Sequence, residues 1–287
     1  MSTVVITGAA SGIGAACARR LAAGGATVIG IDLGGTEVTA DLGTPEGRAD
    51  AVGRVTDIAG GSLDGLVTCA GLAGGSHRPG SVLASVNYFG TVALMDGLRP
   101  LLANGTGSAA GSGSAAGAGP AAVAISSNST TIQPAVPDGV VAACLAGDEG
   151  RARDLADQAG SMATYPATKI AVARWVRRQA TGPTWAGSGI RLNAVAPGMV
   201  ETPLVEAGRA DPAMGPLLDQ LPMPIGRAGR PEEIAALVDL LLGPDGGFFC
   251  GSVVFVDGGT DALLRTDDWP VAWDLDLGTA KEKLTGH

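Results

Sequence analysis

The stretch Ser2-Thr3-Val4-Val5-Ile6-Thr7-Gly8-Ala9-Ala10-Ser11-Gly12-Ile13-Gly14 decides the fold. Ser2 to Thr7 reads as a buried strand rich in β-branched residues, and it runs directly into a glycine-rich turn and a helix-forming stretch from Ala15 to Ala23. Glycines in such a turn let the backbone approach a pyrophosphate at the helix N-terminus, where unpaired N–H groups and the helix dipole favour an anion. The spacing Gly8-x3-Gly12-x-Gly14 is looser than the usual dinucleotide fingerprint, so a plain tight turn in a glycine-rich chain is the competing reading. Val28-Ile29-Gly30-Ile31-Asp32 supplies a second strand ending in a carboxylate about twenty residues further on, as a ribose-binding acid requires. A carboxylate there suits the two hydroxyls of an adenosine ribose and repels a 2′-phosphate. No Arg or Lys stands at Leu33 or Gly34. NAD rather than NADP is the expected cofactor, with Asp32 as a mere loop cap the alternative.

The same strand-then-helix rhythm continues. Glu37 to Leu42 precedes a polar helix over Pro45 to Ala59, and the strand Leu63 to Thr68 ends in Cys69-Ala70-Gly71. A helix is expected over Ser81 to Leu102 and a strand over Ala121 to Ser126. The helix Met162 to Ala180 leads to the strand Arg191 to Val195, which stops at Pro197-Gly198. The helix Glu232 to Leu242 and the strand Ser252 to Asp257 complete the pattern. Parallel strands joined by crossover helices give an α/β, doubly wound parallel sheet in a single domain over 1–262, followed by a C-terminal tail over 263–287. The Gly/Ala/Ser tract 103–120 reads as a mobile surface connection. An excursion over 128–161 is expected to hold short helices at Val140 to Leu145 and near Glu149 to Gln158.

Tyr165-Pro166-Ala167-Thr168-Lys169 places a phenol and an ammonium one helical turn apart. A nearby cation favours the phenolate and brings tyrosine towards neutral-pH proton transfer. The pair Ser126-Ser127 lies upstream, and strand alternation lets one of the two face the cleft.

Composition bounds the function classes. At 287 residues and 46% apolar content, the chain folds without needing disulfides. Cys17, Cys69, Cys144 and Cys250 are scattered, which suits a reducing cytoplasm. His77 and His287 are the only histidines, so no metal site is expected. A formal charge of −9 disfavours nucleic acid, and no apolar run reaches the roughly twenty residues of a membrane span.

Together, Thr7-Gly8-Ala9-Ala10-Ser11-Gly12-Ile13-Gly14, Asp41-Leu42, Cys69-Ala70-Gly71, Asn87-Tyr88-Phe89-Gly90, Ile125-Ser126-Ser127, Tyr165 with Lys169, Pro197-Gly198 and Asp257-Gly258-Gly259 resemble the short-chain dehydrogenase/reductase family over almost the whole chain. The resemblance implies a seven-stranded Rossmann sheet and hydride transfer between a nicotinamide and an alcohol or ketone. It implies Tyr165 as acid/base with its pKa lowered, Lys169 as its cation and ribose ligand, Ser127 as the hydrogen-bond donor to the substrate oxygen, and Asn87 as a support for the lysine. For the cofactor it implies Gly8, Ser11, Gly12, Ile13, Gly14, Asp32, Asp41, Leu42, Cys69, Ala70, Gly71, Pro197 and Gly198, with Thr202 at the carboxamide. Cys69 and Thr168 depart from the family's usual Asn and Ser. Within the family the chain is similar to hydroxysteroid dehydrogenases, which share the long insertion before the tyrosine and use it to obstruct one subunit contact. A hydroxysteroid is therefore the first expected substrate, a terpene alcohol, quinone or xenobiotic carbonyl the alternative, and a homo-oligomer, a dimer before a tetramer, the expected assembly.

Leu204, Val205, Met214, Leu217, Leu218, Leu221 and Met223 supply apolar material for a lid over 202–230, the alternative being a small helix covering the core. Two other classes compete. A hydrolase would need His77 beside Ser127, and a non-catalytic dinucleotide sensor would need neither Ser127, Tyr165 nor Lys169.

Overall fold

The computed structural model describes residues 2–76, 78–106 and 118–285. Most of the tract 103–120 lies outside the described residues, as does His77. The chain runs β1 (Thr3–Thr7), α1 (Gly12–Ala23), β2 (Thr27–Asp32), β3 (Val38–Thr39), α2 (Pro45–Ala59), β4 (Gly65–Thr68), α3 (Gly80–Leu83), α4 (Thr91–Ala103) and β5 (Ala121–Ile125). It continues through α5 (Ser129–Ile132), α6 (Asp138–Leu145), α7 (Glu149–Ala159), α8 (Ser161–Ala180), β6 (Arg191–Pro197), α9 (Pro203–Ala210) and α10 (Gly215–Asp219). The last elements are α11 (Pro231–Leu242), β7 (Val253–Val256), α12 (Thr260–Leu264) and α13 (Leu277–Thr285). A π-helical stretch, Ala84–Gly90, joins α3 to α4.

The seven strands pair in the order β3-β2-β1-β4-β5-β6-β7, all parallel. Alternation along β1 explains the two layers of helices. Val4 and Ile6 pack with Cys17 and Leu21 of α1 and Val238 and Leu241 of α11. Val5, pointing the other way, packs with Val55 of α2, Leu98 of α4 and Val172 of α8. Helix α2 starts where expected because Pro45 occupies its first turn and Thr44 Oγ1 accepts from Gly47 N; it stops at Gly60, whose φ is 65°.

The excursion 128–161 is an ordered layer. Val140, Val141 and Cys144 of α6 are buried, and α6 packs on α8. Helix α7 packs on α3 so closely that a Cβ at Gly80 would collide with the Ala156 carbonyl. Glu149, in the first turn of α7, forms a bidentate pair with buried Arg48 of α2, both contacts at 2.7 Å. Arg48 also donates to the carbonyls of Leu42 and Ser85. Burial pushes the Glu149 carboxyl up, but the hydrogen bonds from Arg48 and Ser85 outweigh it and lower the pKa. Past α12 the tail exposes Trp269, Val271, Trp273 and Leu277. No helix among the described residues is long and apolar enough to cross a membrane.

Candidate active site

The chain leaves β1 for β2 and β3, then returns past β1 to β4, which opens a crevice at the carboxyl ends of those strands. A groove of about 470 Å³ fills it. Its floor is the turn Gly8, Ser11, Gly12, Ile13 and Gly14; one end holds Asp32, Asp41 and Leu42, and Cys69, Ala70 and Gly71 form a wall. Gly8 has φ +69° and a Cβ there would lie 2.8 Å from Ala70 N, while a Cβ at Gly14 would collide with the Gly8 carbonyl. Asp32 Oδ2 accepts from Ala10 N at 3.0 Å and Oδ1 from Leu33 N at 2.7 Å. Those bonds hold the carboxylate at the groove without using up its acceptor capacity. Asp41 Oδ1 accepts from Gly43 N at 2.8 Å, closing the turn that carries Leu42.

A smaller cavity of about 110 Å³ adjoins the groove, sharing Ile13, Cys69, Gly71, Thr202 and Leu204 with it. Ser127, Tyr165, Lys169, Pro197 and Gly198 line this cavity together. Both Ser126 and Ser127 line the cavity, where only one was expected to, because they lie past the end of β5; their hydroxyls are used differently. Ser126 Oγ turns to α8 and donates to Lys169 O at 2.9 Å, whereas the Ser127 hydroxyl hydrogen-bonds Tyr165 and accepts from Ser129 N at 3.1 Å. Thr202 caps α9 by accepting from Val205 N at 3.3 Å and stands at the junction of the two cavities.

The expectation that Lys169 lowers the Tyr165 pKa is overturned. Burial pushes the phenol up, and the hydrogen bond with Ser127 offsets only part of that. Lys169 Nζ lies 5.9 Å from the Tyr165 ring centroid and donates to the Ile125 carbonyl at 3.0 Å. Its own charge is costly: burial brings the ammonium down to about 8, with Cys69 opposing. The native state therefore carries a penalty that is complete below about pH 8 and vanishes as pH rises through the ordinary lysine value of 10.5. Lys169→Met is expected to resist urea better than the wild type at pH 7, with the gap closing towards pH 10.5. Unfolding midpoints at pH 7, 9 and 10.5 check this; a gap that widens with pH contradicts the sign.

Asn87 does not contact Lys169 through its side chain. It grips Leu72, accepting from its N–H at 2.7 Å and donating to its carbonyl at 2.9 Å, and donates to Thr168 Oγ1 at 3.2 Å. Thr168 in turn donates to Tyr165 O at 2.7 Å. Asn87 thus braces the wall opposite Gly71, whose ideal Cβ would lie 3.4 Å from both Asn87 Oδ1 and Lys169 Nζ. The π-helical stretch that offers Asn87 to the site had no signal in the sequence. Cys69 meets a second thiol: a hydrogen bond with Cys17 and burial push it well above the usual value. Of the apolar residues named over 202–230, only Leu204 and Val205 line the Tyr165 cavity; the ideal Cβ of Gly208 lies near the Leu218 and Met214 side chains, and Leu217 is half exposed.

A family model described as short chain dehydrogenase matches residues 2–127, and one described as enoyl-(acyl carrier protein) reductase matches residues 153–261. The chain is 38% identical over 268 residues to the 3-alpha-hydroxysteroid dehydrogenase/carbonyl reductase of Comamonas testosteroni, covering 92% of this chain and 98% of that protein. It is 35% identical over 276 residues to the cis-4-hydroxycyclohexanecarboxylate dehydrogenase of Sinomonas cyclohexanicum, covering 90% and 96%. Among solved structures, the 3-alpha-hydroxysteroid dehydrogenase from Pseudomonas sp. B-0831 complexed with NADH superposes with a TM-score of 0.85 at 47% identity, covering 93% of this chain and 99% of that one.

Proposed function

Because this chain belongs to the short-chain dehydrogenase/reductase family, we propose that it uses NAD to interconvert a hydrophobic secondary alcohol and its ketone, with a 3α-hydroxysteroid as the first substrate to test. The observation that carries this reading is the convergence of Ser127, Tyr165 and Lys169 on one small cavity that opens into the long glycine-floored groove.

The groove fits a dinucleotide. Side chains at Gly8 and Gly14 would collide with the backbone of Ala70 and Gly8, so only glycine lets this turn close up beneath the groove; the N-terminus of α1 faces it, and Asp32 offers acceptors at the far end. Gly12, Ile13, Asp41, Leu42, Ala70, Gly71, Pro197 and Gly198 would complete its walls, with Thr202 beside the nicotinamide end. A dinucleotide held by these residues would supply the hydride acceptor for oxidation at the carbinol carbon and the hydride donor for reduction of the carbonyl. Tyr165 Oη takes the hydroxyl proton in oxidation and gives it back in reduction. Ser127 Oγ hydrogen-bonds the substrate oxygen and stabilises the charge that develops there. Lys169 contributes a positive charge beside the tyrosine ring at neutral pH, one that is lost as pH rises through about 8, and Asn87 acts as a positioning residue through Leu72 and Thr168. A raised phenol keeps its proton at neutral pH, so carbonyl reduction is favoured there and alcohol oxidation gains as pH rises.

Asp32 underlies a preference for NAD over NADP. A charge-assisted ribose contact is worth roughly 1.5–3 kcal/mol, about tenfold to more than a hundredfold. Dissociation constants for both cofactors measure it; equal or tighter NADP binding would place the Asp32 carboxylate away from the ribose.

The relatives act, by their names, on a 3α-hydroxysteroid and on a hydroxycyclohexanecarboxylate. Both are ring alcohols, and Leu204 and Val205 give this cavity an apolar rim suited to such a ring. A panel of 3α-hydroxysteroids, terpene alcohols, quinones and small hydrophilic alcohols, read by NADH absorbance, tests the reading. Turnover confined to the small hydrophilic alcohols would overturn it. The free thiols Cys17, Cys69, Cys144 and Cys250 suit a reducing cytoplasm.

The assembly expected is a homodimer. Helices α6 and α7 cover the side of α8 and the π-helical stretch with their own buried apolar residues, leaving less of that face for a second subunit. Light scattering should give a dimer mass; a tetramer would remove the obstruction argument.

A further inference from the structure

The loop after β4 and the lid built from α9 and α10 contribute facing walls of the Tyr165 cavity, Leu72 from the loop and Leu204 and Val205 from the lid. Among the described residues, side-chain hydrogen bonds tie the two together at Ser76 and Asp211. Ser76 donates to Asp211 Oδ2 from both its backbone N–H and its hydroxyl, each at 2.8 Å. Asp211 Oδ1 accepts from the N–H groups of Ala213 at 2.9 Å and Met214 at 3.0 Å, so the same carboxylate also fixes the turn between α9 and α10. These bonds, those from Ser76 foremost, hold the carboxyl well below the usual range.

The other side of the loop is fastened differently. Ser161, at the start of the helix carrying Tyr165, donates to Gly75 O at 2.6 Å and accepts from Gly75 N at 3.1 Å. A Cβ at Gly74 would lie 2.9 Å from Ser161 O, so the loop backbone is pressed onto α8. Ser161 is buried, whereas Ser76 is exposed and Asp211 half-buried. One seam is sealed and the other is reachable by water. Hydrogen bonds that water can replace cost little to break, which suits a link that opens in each turnover.

We propose that Ser76 and Asp211 form the latch of the substrate lid. Closed, the latch holds Leu204 and Val205 against the substrate beside Tyr165; open, it releases α9 and α10 from a loop that stays on α8, so that substrate enters and product leaves. Both are positioning residues, acting on the substrate only through the lid. The identity of the substrate rests on the dehydrogenase reading, whereas the latch itself does not.

The test pairs hydrogen–deuterium exchange with kinetics in Ser76→Ala and Asp211→Ala. Ser76 lies far from the lid in sequence, so any effect of Ser76→Ala on lid amides passes through the latch. Amides of residues 203–221 are expected to exchange about three- to tenfold faster in Ser76→Ala and faster still in Asp211→Ala, with α8 unchanged. With a steroid-sized secondary alcohol KM and kcat should rise together, and with a cyclohexanol-sized one much less, because a small ligand needs less opening. Lid exchange within about twofold of wild type in both variants overturns the latch, as does a lowered kcat at unchanged KM for both alcohols. Faster lid exchange in a protein whose wild type oxidises no alcohol would keep the latch and remove the dehydrogenase reading.

Discussion

Tyr165→Phe is expected to bind the dinucleotide about as tightly as the wild type and to lose turnover by a factor of about 10² to 10⁴. The substitution removes one oxygen. The ring stays in α8 with its neighbours, and the groove that would hold the cofactor has its floor and far end elsewhere, at Gly8 to Gly14 and Asp32. What disappears is the proton at Oη and the hydrogen bond with Ser127. A proton moved only in the transition state affects kcat far more than binding. NADH fluorescence titration and steady-state rates, run side by side, separate the two quantities. Turnover near wild type would remove Tyr165 from the acid/base role.

A second large effect is expected from Gly14→Ala. The added methyl would meet the Gly8 carbonyl carbon at 2.6 Å and its oxygen closer still, so either the turn opens or α1 moves. Both groups are backbone, and neither can swing aside as a side chain would. The predicted result is cofactor binding weakened by about a hundredfold or more, ~2.7 kcal/mol, together with a lowered melting temperature. Gly34→Ala is the control, because a methyl there meets nothing within 4 Å. If Gly14→Ala bound the cofactor as Gly34→Ala does, the turn would not be the cradle.

The parts of this fold that local chemistry dictates were legible beforehand. Helix α2 runs over Pro45–Ala59 as read, because a capping Thr44, a first-turn proline and the left-handed Gly60 are all local signals. Period-2 alternation did not separate Ser127 from Ser126: it said only that one of them faces the cleft, the choice of Ser127 came from the family resemblance, and both line the cavity. Strand β3 is Val38–Thr39 where Glu37 to Leu42 was expected: the Glu37 carboxylate is spent accepting from Gly30 N at 2.8 Å, and Ala40 N makes the last bond to β2, donating to Asp32 O at 2.9 Å. The lysine's hold on the Ile125 carbonyl was hidden, because every residue has a carbonyl and sequence does not say which one a buried ammonium will meet. The direction of the Tyr165 shift was missed for a related reason: one-turn spacing gives proximity, but burial by α8's neighbours decides how much a charge is felt. The apolar composition of 202–230 was legible, and which two of its side chains line the Tyr165 cavity was not.

The pair between Arg48 and Glu149 bears on how such a chain can be shortened. Arg48 is rooted in α2 and serves the turn carrying Leu42, while its carboxylate partner belongs to the added layer 101 positions later. Cutting that layer out, or grafting in a briefer connection from a relative, strands a guanidinium in the interior, and uncompensated buried charge typically costs about 3–5 kcal/mol. The loss would surface at the end of the groove lined by Asp41 and Leu42, far from the scar. Any chimera or pared-down version of this enzyme has to redesign residue 48 in the same step, and the two segments must be inherited as one module.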